Sequence, residues 1–456
     1  MSEINVILAV DKLFGIGLNG KLSWNIKDEL NIFKEKTFDS VLIMGRKTIE
    51  CLPKLKNRII FGISNKYIEL MNDHFKNDKD IRFFSNFEEA LEEAKILNKK
   101  IFVAGGSKLY NYVFENYKPI IKVHISFINE EYECDAYFNK NNLENFYIDK
   151  EIIFENFKHY EMRYCKYGEL QYLNLIKDLL KNGERRVGRN AETISDFCKH
   201  LKFDLREGFP LLTTKKMFLK GIIEELLFFI RGDTNSKILE EKGVNIWKGN
   251  TSREFLDANG FKDRIEGEMG PMYGSIWRKF NSITTKKDNI IESIDFNVDQ
   301  LKNIINEIKT NPTSRRILLT TYNPGQVRNG VLYPCHSITI QFYIQNTFLD
   351  MFCYNRSSDA GLGLPFNIAS SSLFLMIIAK LTNLTPRYFN LSLGDVHIYS
   401  NHIEPIKEQI DRISYCFPNI KIPEFSTLEE VEKLTYKDFS LENYKYYPTI
   451  KMDMVA

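Results

Sequence analysis

What most constrains this chain is a change of pattern near residue 165. Before it, short apolar runs alternate with helical spacing. Residues 4–10, 40–44, 59–63 and 101–104 read as buried strands, and 26–38 and 87–97 as amphipathic helices. Near-continuous apolar strands separated by helices need cover on both faces, which predicts a largely parallel α/β sheet. Residues 124–127 and 154–164 read as closing strands. Past Cys165 to Gly168 the order changes. A helix over 169–181 ends at Asn182-Gly183, a C-cap signal. Helices follow at 219–230 and 298–309, then strands at 338–343 and 348–354, then a helix at 367–381. Strands and helices segregate here, which predicts an α+β domain. The boundaries expected are 1–164, a linker at 165–168, and 169–456.

Composition excludes several classes. With 62 basic and 60 acidic residues the net charge is +2, so bulk charge does not attract nucleic acid, and none is expected as a partner. No run reaches the roughly 18 apolar residues of a spanning helix; the best, 373–379, is too short, so no membrane association is expected. The N-terminus lacks a basic region before its apolar run and does not read as a signal peptide. Seven cysteines without a Cys-x-x-Cys pair suggest a reducing, cytoplasmic setting, and seven histidines without ligand spacing suggest no metal site.

Four local features in the first part suggest chemistry. Gly15 to Gly20 matches G-x-G-x-x-G after a strand, but Lys21-Leu22-Ser23-Trp24 is loop-like where the dinucleotide fingerprint needs a helix. Glu29 falls on the apolar stripe of its helix, between Ile26 and Phe33, where a carboxylate is either a first-turn dipole partner or functional. Met44-Gly45-Arg46-Lys47-Thr48 suits phosphate capture at a helix start, or a basic cap. Gly105-Gly106 permits close backbone approach.

Taken in order, these motifs resemble dihydrofolate reductase over residues 4 to about 164. Asn57-Arg58 and the late Asp135 and Phe138 complete the set. The resemblance implies that Glu29 holds the pterin and assists its protonation, with Ser126 hydrogen-bonded to Glu29. It implies that Phe33 contacts the folate and Arg58 clamps its α-carboxylate. It implies NADPH at Ala9, Gly17, Arg46, Lys47, Thr48, Ser64, Gly105, Gly106 and Ser107. Ser23 replaces the usual Pro, which is expected to loosen the turn before Trp24. Ser126 replaces the usual Thr.

In the second part, Pro334-Cys335-His336 looks like a nucleophile beside a base. Adjacent residues leading into a strand point apart, so His336 is a poor base for Cys335. A reactive thiol needs cations nearby, and Arg189, Arg315, Arg316 and Arg356 are the candidates. Inside the apolar helix, Glu224 has Lys220 at i−4. Glu225 has only Gly, Ile and Phe neighbours, which marks it as the functional candidate.

Residues 169–456 resemble thymidylate synthase through 209–216, 270–274, Ser314-Arg315-Arg316, Pro334-Cys335-His336, 361–370 and 394–402, with a looser fit over 281–297. The resemblance implies that Cys335 attacks C6 of dUMP, activating C5 toward 5,10-methylenetetrahydrofolate. It implies a phosphate site of Arg189, Arg356 and Ser357, completed by Arg315 and Arg316 of a second subunit in a homodimer formed by this domain. Glu225 and Tyr273 organise proton transfer, and Asp359 and Trp247 position the folate. Asn367 reads the uracil edge, and His397 and Tyr399 bind the 3′-hydroxyl. Departures are the 190–193 loop, Asn355 for Gln, Ser371 for Tyr, and Tyr447 for the His before Pro448. The alternatives are a regulatory protein with dead sites, and a cytidylate hydroxymethylase, which Asn367 disfavours.

Overall fold

The computed structural model describes residues 3–454 apart from 54, 77, 189, 190, 282, 288, 289 and 295–297, with side chains between 282 and 297 also left out. The chain forms two compact units, Met1–Lys166 and Tyr167–Ala456.

The first unit is built on an eight-stranded sheet. Its order is Ile81–Phe84, Arg58–Ile63, Ser40–Gly45, Ile101–Val103, Ile4–Val10, Ile121–Ile128, Phe157–Tyr164, Phe146–Ile153. The first six strands run parallel and the last two antiparallel. Ile4–Val10 is buried at every residue, as a central strand covered on both faces must be. The expected strand over 154–164 starts three residues later. Phe154 N–H donates to the Phe157 carbonyl (2.9 Å) to close the turn before it. The helix Lys27–Lys36 carries Asp28 and Glu29 in its first turn and Lys34 and Lys36 in its last, matching its dipole. Glycine turns follow the C-terminal ends of Ile4–Val10, Ser40–Gly45 and Ile101–Val103, which is where open α/β sheets bind ligands.

In the second unit a six-stranded sheet runs Glu184–Val187, Glu192–Asp204, Thr385–Tyr399, Phe348–Asp359, Thr339–Gln345, Leu318–Thr320. All pairs are antiparallel except Phe348–Asp359 with Thr385–Tyr399. One face is covered by helices Leu170–Asn182, Leu219–Arg231 and Gly363–Leu381, whose apolar residues share one core with Phe342, Met351 and Leu391.

One expectation holds for its own physical reason and one changes. The helix Leu170–Asn182 ends at Gly183, but Gly183 is extended (φ −67°) rather than left-handed. Space explains the glycine: a Cβ there would lie 2.5 Å from the Leu179 carbonyl oxygen and 2.6 Å from Ile194. The run expected to be too short for a membrane span belongs to a 19-residue helix, Gly363–Leu381, long and apolar enough to span by length and composition. Thirteen of its residues are buried in the core, which accounts for its all-round apolar surface.

Candidate active sites

In the first unit the helix Lys27–Lys36 buries Glu29, and burial pushes its carboxyl up to about 7. No side chain among the described residues donates to it. Trp24 and Tyr110 are also among the polar side chains buried in this unit. Trp24 Nε1 has no partner among the described residues, and Tyr110, whose hydroxyl donates to the Ile7 carbonyl (2.8 Å), feels the Glu29 charge. Ser126 stands beside Ala9 in the register, but its hydroxyl pairs with His159 Nδ1 (3.0 Å) rather than with Glu29. His159 is its cross-strand neighbour on the same face of the sheet, which explains the choice.

Arg58 opens its strand and is held by three bonds. Nε donates to Thr37 Oγ1 (3.1 Å), Nη1 to the Lys56 carbonyl (2.6 Å) and Nη2 to the Lys34 carbonyl. A guanidinium has five N–H groups, so one remains on each terminal nitrogen, the fork a carboxylate takes. Phe33 is half-buried and its carbonyl anchors Thr37 (2.6 Å).

The glycine turns converge. Gly45 N–H donates to the Gly105 carbonyl (2.8 Å), and the Gly105–Gly106 peptide is cis. The helix Ser107–Tyr117 starts at Gly106 without a side-chain cap, leaving early N–H groups for an anion. A Cβ on Gly106 would meet Thr48 Oγ1 at 3.4 Å, so the cradle is narrow. Beside it, Arg46 pairs with Glu50 (2.6 Å) and lies over Tyr67, while Lys47 carries no ion pair among the described residues. Ser64 is buried and its Oγ accepts from Tyr67 N–H (3.3 Å). Gly17 sits at φ 156°, and Asp135 N–H donates to its carbonyl (3.0 Å). These groups fit a dinucleotide diphosphate with an extra phosphate.

In the second unit, four residues form a continuous line. Cys335 N–H donates to the Tyr273 hydroxyl oxygen (3.2 Å), which leaves the hydroxyl proton for Cys335 Sγ at 3.4 Å. The Tyr273 ring lies 5.8 Å from that of Trp247, and Trp247 Nε1 donates to Glu225 (2.8 Å). Burial pushes Glu225 up to about 7, with the Trp247 bond opposing. Burial also raises the Cys335 thiol, while Tyr273 and Arg356 pull it down. Tyr273 caps the helix Gly274–Arg278 at φ 40°, an uncommon conformation for a bulky residue and one found at functional sites. Glu224 bonds Lys242 (2.6 Å) and Tyr436 N–H (2.9 Å), so Lys242 replaces the expected Lys220. His336 stacks on Tyr273 (4.3 Å) and is bonded to Ser337 (3.2 Å), so its ring is occupied away from Cys335.

Around Cys335, the backbone N–H groups of Arg356 and Ser357 both donate to its carbonyl (2.8 and 3.1 Å), which brings Arg356 to the thiol. Asp359 pairs in register with His397, whose Nδ1 bonds Asp395 (2.7 Å) and whose ring lies 5.1 Å from Tyr399. Asn355, buried, donates to Asn367 Oδ1 (3.5 Å) and fixes which end of that amide is oxygen. Arg315 and Arg316 are exposed before Leu318–Thr320 and carry no ion pair among the described residues. Arg189 lies outside the described residues.

Sequence reasoning gave no role to two buried groups here. Lys215 donates to the Gly361 carbonyl (2.5 Å). His402 bonds the Asp453 carbonyl (2.7 Å) and lies 3.7 Å from Asp359. Both stand inside the motifs quoted above, which was the available signal.

Comparison with known proteins follows this division. A family model described as dihydrofolate reductase matches residues 3–169, and one described as thymidylate synthase matches residues 170–456. A Paramecium tetraurelia protein named bifunctional dihydrofolate reductase-thymidylate synthase is 38% identical, covering 99% of this chain and 98% of that protein. A similarly named Plasmodium berghei (strain Anka) protein is 35% identical over 96% of this chain and 86% of its own. One from Arabidopsis thaliana is 34% identical over 100% and 89%.

Proposed function

This chain belongs to the bifunctional dihydrofolate reductase–thymidylate synthase family, and from that premise we propose how its residues divide the work. The enzyme methylates dUMP to dTMP with 5,10-methylenetetrahydrofolate, releasing dihydrofolate, and reduces dihydrofolate to tetrahydrofolate with NADPH.

In the reductase unit, Glu29 accepts from the pterin amino group and N3–H, and its raised pKa lets it hold a proton near neutrality for delivery toward N5. Arg58 offers its two free N–H groups to the folate α-carboxylate, and Phe33 borders the substrate. Ser126 acts through His159 and the strand beside Ala9 rather than on Glu29 directly. NADPH supplies the hydride. Its phosphates are held by Arg46, Lys47, Thr48, Ser64, Ser107 and the glycines at 17, 105 and 106.

In the synthase unit, the Tyr273 hydroxyl and Arg356 favour the Cys335 thiolate, which adds to C6 of dUMP. Glu225, held by Trp247, relays protons through the buried polar space. Arg189, Arg356 and Ser357 take the phosphate. Asn367, with one lone pair of its oxygen engaged by Asn355, presents the other lone pair and its NH₂ to N3–H and O4 of uracil. This arrangement favours uracil over the cytosine of a hydroxymethylase. Asp359 and Trp247 position the folate, and His397 and Tyr399 the 3′-hydroxyl.

The observation that carries this reading is the unbroken line Cys335–Tyr273–Trp247–Glu225 in one unit. Incubation with dUMP, methylenetetrahydrofolate and NADPH is expected to yield dTMP and tetrahydrofolate together. Failure to form dTMP would sink it.

The synthase unit is expected to form a homodimer. The sheet face opposite the helices exposes Leu318, Tyr343 and Phe352, with Leu318 and Phe352 both flanking Gln341, and Arg315 and Arg316 stand at its edge. A second copy on this face covers that apolar surface and brings its arginines to the neighbour's phosphate site. Refolding a Cys335→Ala chain together with an Arg315→Ala/Arg316→Ala chain is expected to restore roughly a quarter of synthase activity, because about half the dimers hold one intact site. No recovery in verified heterodimers places the arginines in their own chain's site. Seven cysteines, none joined in a disulfide among the described residues, favour a reducing compartment such as the cytoplasm.

A further inference from the structure

One buried imidazole joins the synthase site to residues 452–453. His402 closes the short turn Ser400–His402 after the strand Thr385–Tyr399, and none of its surface is exposed. Its two ring nitrogens meet different partners. Nε2 lies 2.7 Å from the Asp453 carbonyl, and Nδ1 lies 3.7 Å from Asp359 Oδ1. Gly361 leaves the room in which these groups meet. A Cβ there would lie 2.9 Å from His402 Nδ1, 3.1 Å from Met452 Sδ and 3.3 Å from Asp359 Oδ1.

The partners decide where the ring holds protons. A carbonyl oxygen only accepts, so Nε2 carries a proton. Nδ1 has no hydrogen-bond partner among the described residues. In a neutral ring it is a lone pair beside a carboxylate oxygen, and two acceptors in a buried site repel with little screening. With a second proton the same approach is an ion pair, and a movement of about 0.5–1 Å closes it to hydrogen-bond length.

The surrounding groups favour that second proton. Burial raises the Asp359 carboxyl, but His402 and the Gly361 N–H, which donates to Oδ1 (2.8 Å), outweigh it and keep Asp359 charged. Burial lowers His402, but Asp359 and the Asp453 carbonyl outweigh it, so the ring holds its proton above the ordinary range. Lys215 opposes this with its own charge. It donates to the Gly361 carbonyl (2.5 Å), and burial pulls it down to about 8 against the charges of Asp359 and Glu169. The Tyr399 ring packs edge-on against His402 at 5.7 Å, and the Tyr172 hydroxyl, held by the Ala360 carbonyl (2.9 Å), is raised by burial and stays neutral.

We propose that His402 is a positioning residue of the synthase: Nε2–H holds residues 452–453, and Nδ1–H holds the Asp359 carboxylate where the folate meets it. This rests on the reading of Asp359 as the folate's partner and extends it. His402 acts through Asp359 and not on the reacting atoms.

The test measures KM for methylenetetrahydrofolate and for dUMP on the full chain as a function of pH. His402→Gln keeps an N–H for the Asp453 carbonyl and removes the charge beside Asp359. It is expected to raise KM for methylenetetrahydrofolate about tenfold, the scale of one hydrogen bond to a charged group, and to leave KM for dUMP within about twofold. In the parent, KM for the folate should rise with pH as His402 loses its second proton, and His402→Gln should lack that rise. Lys215 titrates in both proteins and cancels from the difference. The parent's ring is read directly with ¹⁵N-labelled histidine. Both His402 nitrogens should be protonated at neutral pH, and Asp359→Asn should move the loss of the Nδ1 proton to lower pH. Asp359→Asn should also raise KM for the folate; if it does not, the folate role of Asp359 falls and the proposal with it. With that role standing, the proposal fails if His402→Gln keeps the parent's KM profile, if it raises both KM values alike, or if the His402 ring is neutral at neutral pH.

Discussion

Each unit buries on a helix a glutamate, Glu29 in one and Glu225 in the other, whose carboxyl burial pushes up to about 7. Their surroundings differ. Glu29 receives no side-chain donor among the described residues, whereas Glu225 accepts from Trp247 at 2.8 Å. Like pKa values thus arise in unlike sites. In the reductase, desolvation acts alone and leaves the carboxyl open to a substrate that brings its own donors. In the synthase, a donor already holds the carboxyl in place, which suits the fixed relay proposed for Glu225 beside Cys335. Burial tunes the proton affinity, and the hydrogen bond separates the docking role proposed for Glu29 from the fixed-relay role proposed for Glu225.

The strongest break between the units is at Cys335. Cys335→Ser should lower dTMP formation on the order of 10⁴-fold or more, the scale of losing a nucleophile, and leave dihydrofolate reduction unchanged. Assaying both activities on one preparation decides it. Equal losses would mean that the units do not carry separate chemistry.

Glu29→Gln comes next. It should lower reductase turnover about 10²-fold or more near neutral pH, because the amide cannot supply the proton. For the parent enzyme, turnover should fall as pH rises through about 7, as Glu29 loses its proton. Stability follows the same sign. A carboxyl with its folded pKa raised from 4.5 to about 7 contributes fully below pH 4.5, and that contribution is lost as pH rises through about 7. Glu29→Gln should therefore melt higher than the parent above pH 7, with the gain shrinking toward pH 4.5. A pH-independent difference in melting temperature would reject burial as the cause.

The sequence revealed Glu29 and Glu225 for one reason. Each sits on an apolar stripe, and helical spacing lies within a few residues. The partners that distinguish them were not legible. Trp247 is 22 residues from Glu225, and Lys242, which holds Glu224, is 18 residues away. Local spacing pointed instead to Lys220. Ser126 shows the same limit: its pairing with His159 depends on strand register across 33 residues, which no local pattern encodes. Gly183 marks the helix end as its C-cap signal predicts, and the position needs glycine for room beside Leu179 and Ile194. In the first sheet six of the eight strands were legible from their apolar runs, whereas in the second only Thr339–Gln345 and Phe348–Asp359 were, and the first turn of Gly363–Leu381 was hidden by Gly363 and Pro365.

Trp247→Phe sharpens the comparison by making Glu225 resemble Glu29. The ring and its packing against Tyr273 remain, but the N–H is lost. Burial then acts unopposed, so the Glu225 pKa should rise further. A hydrogen bond to a charged group contributes about 1.5–3 kcal/mol, so a shift of about one to two units is expected. The acid limb of the synthase pH profile should move up by that amount while the reductase profile stays in place. An unmoved synthase limb would mean that the Trp247 bond does not tune Glu225.

The smallest effect expected is at Ser23, where the reductase unit departs from its family. Proline there would stiffen the turn before Trp24 by restricting the backbone, so serine was expected to loosen it. The structure supplies a different restraint. Ser23 Oγ donates to the Glu133 carbonyl (2.7 Å) and lies 3.3 Å from Cys134 Sγ. Two further bonds join the same segments: Asn19 N–H to Asp135 Oδ2 (2.9 Å) and Asp135 N–H to the Gly17 carbonyl (3.0 Å). The glycine turn is thus held to the 129–137 segment by contacts from both. A single exposed hydrogen bond contributes toward the low end of about 0.5–1.5 kcal/mol. Ser23→Ala should therefore raise KM for NADPH about threefold, with a smaller change in kcat. Ser23→Pro restores stiffness without the bond, since a compatible proline restricts the unfolded chain, and should recover part of the loss. The synthase rate should not respond to either change. If Ser23→Ala matches the parent in KM and kcat, the bond to Glu133 adds nothing, and the Asp135 contacts with the Gly15–Gly17 strand pairing hold the turn.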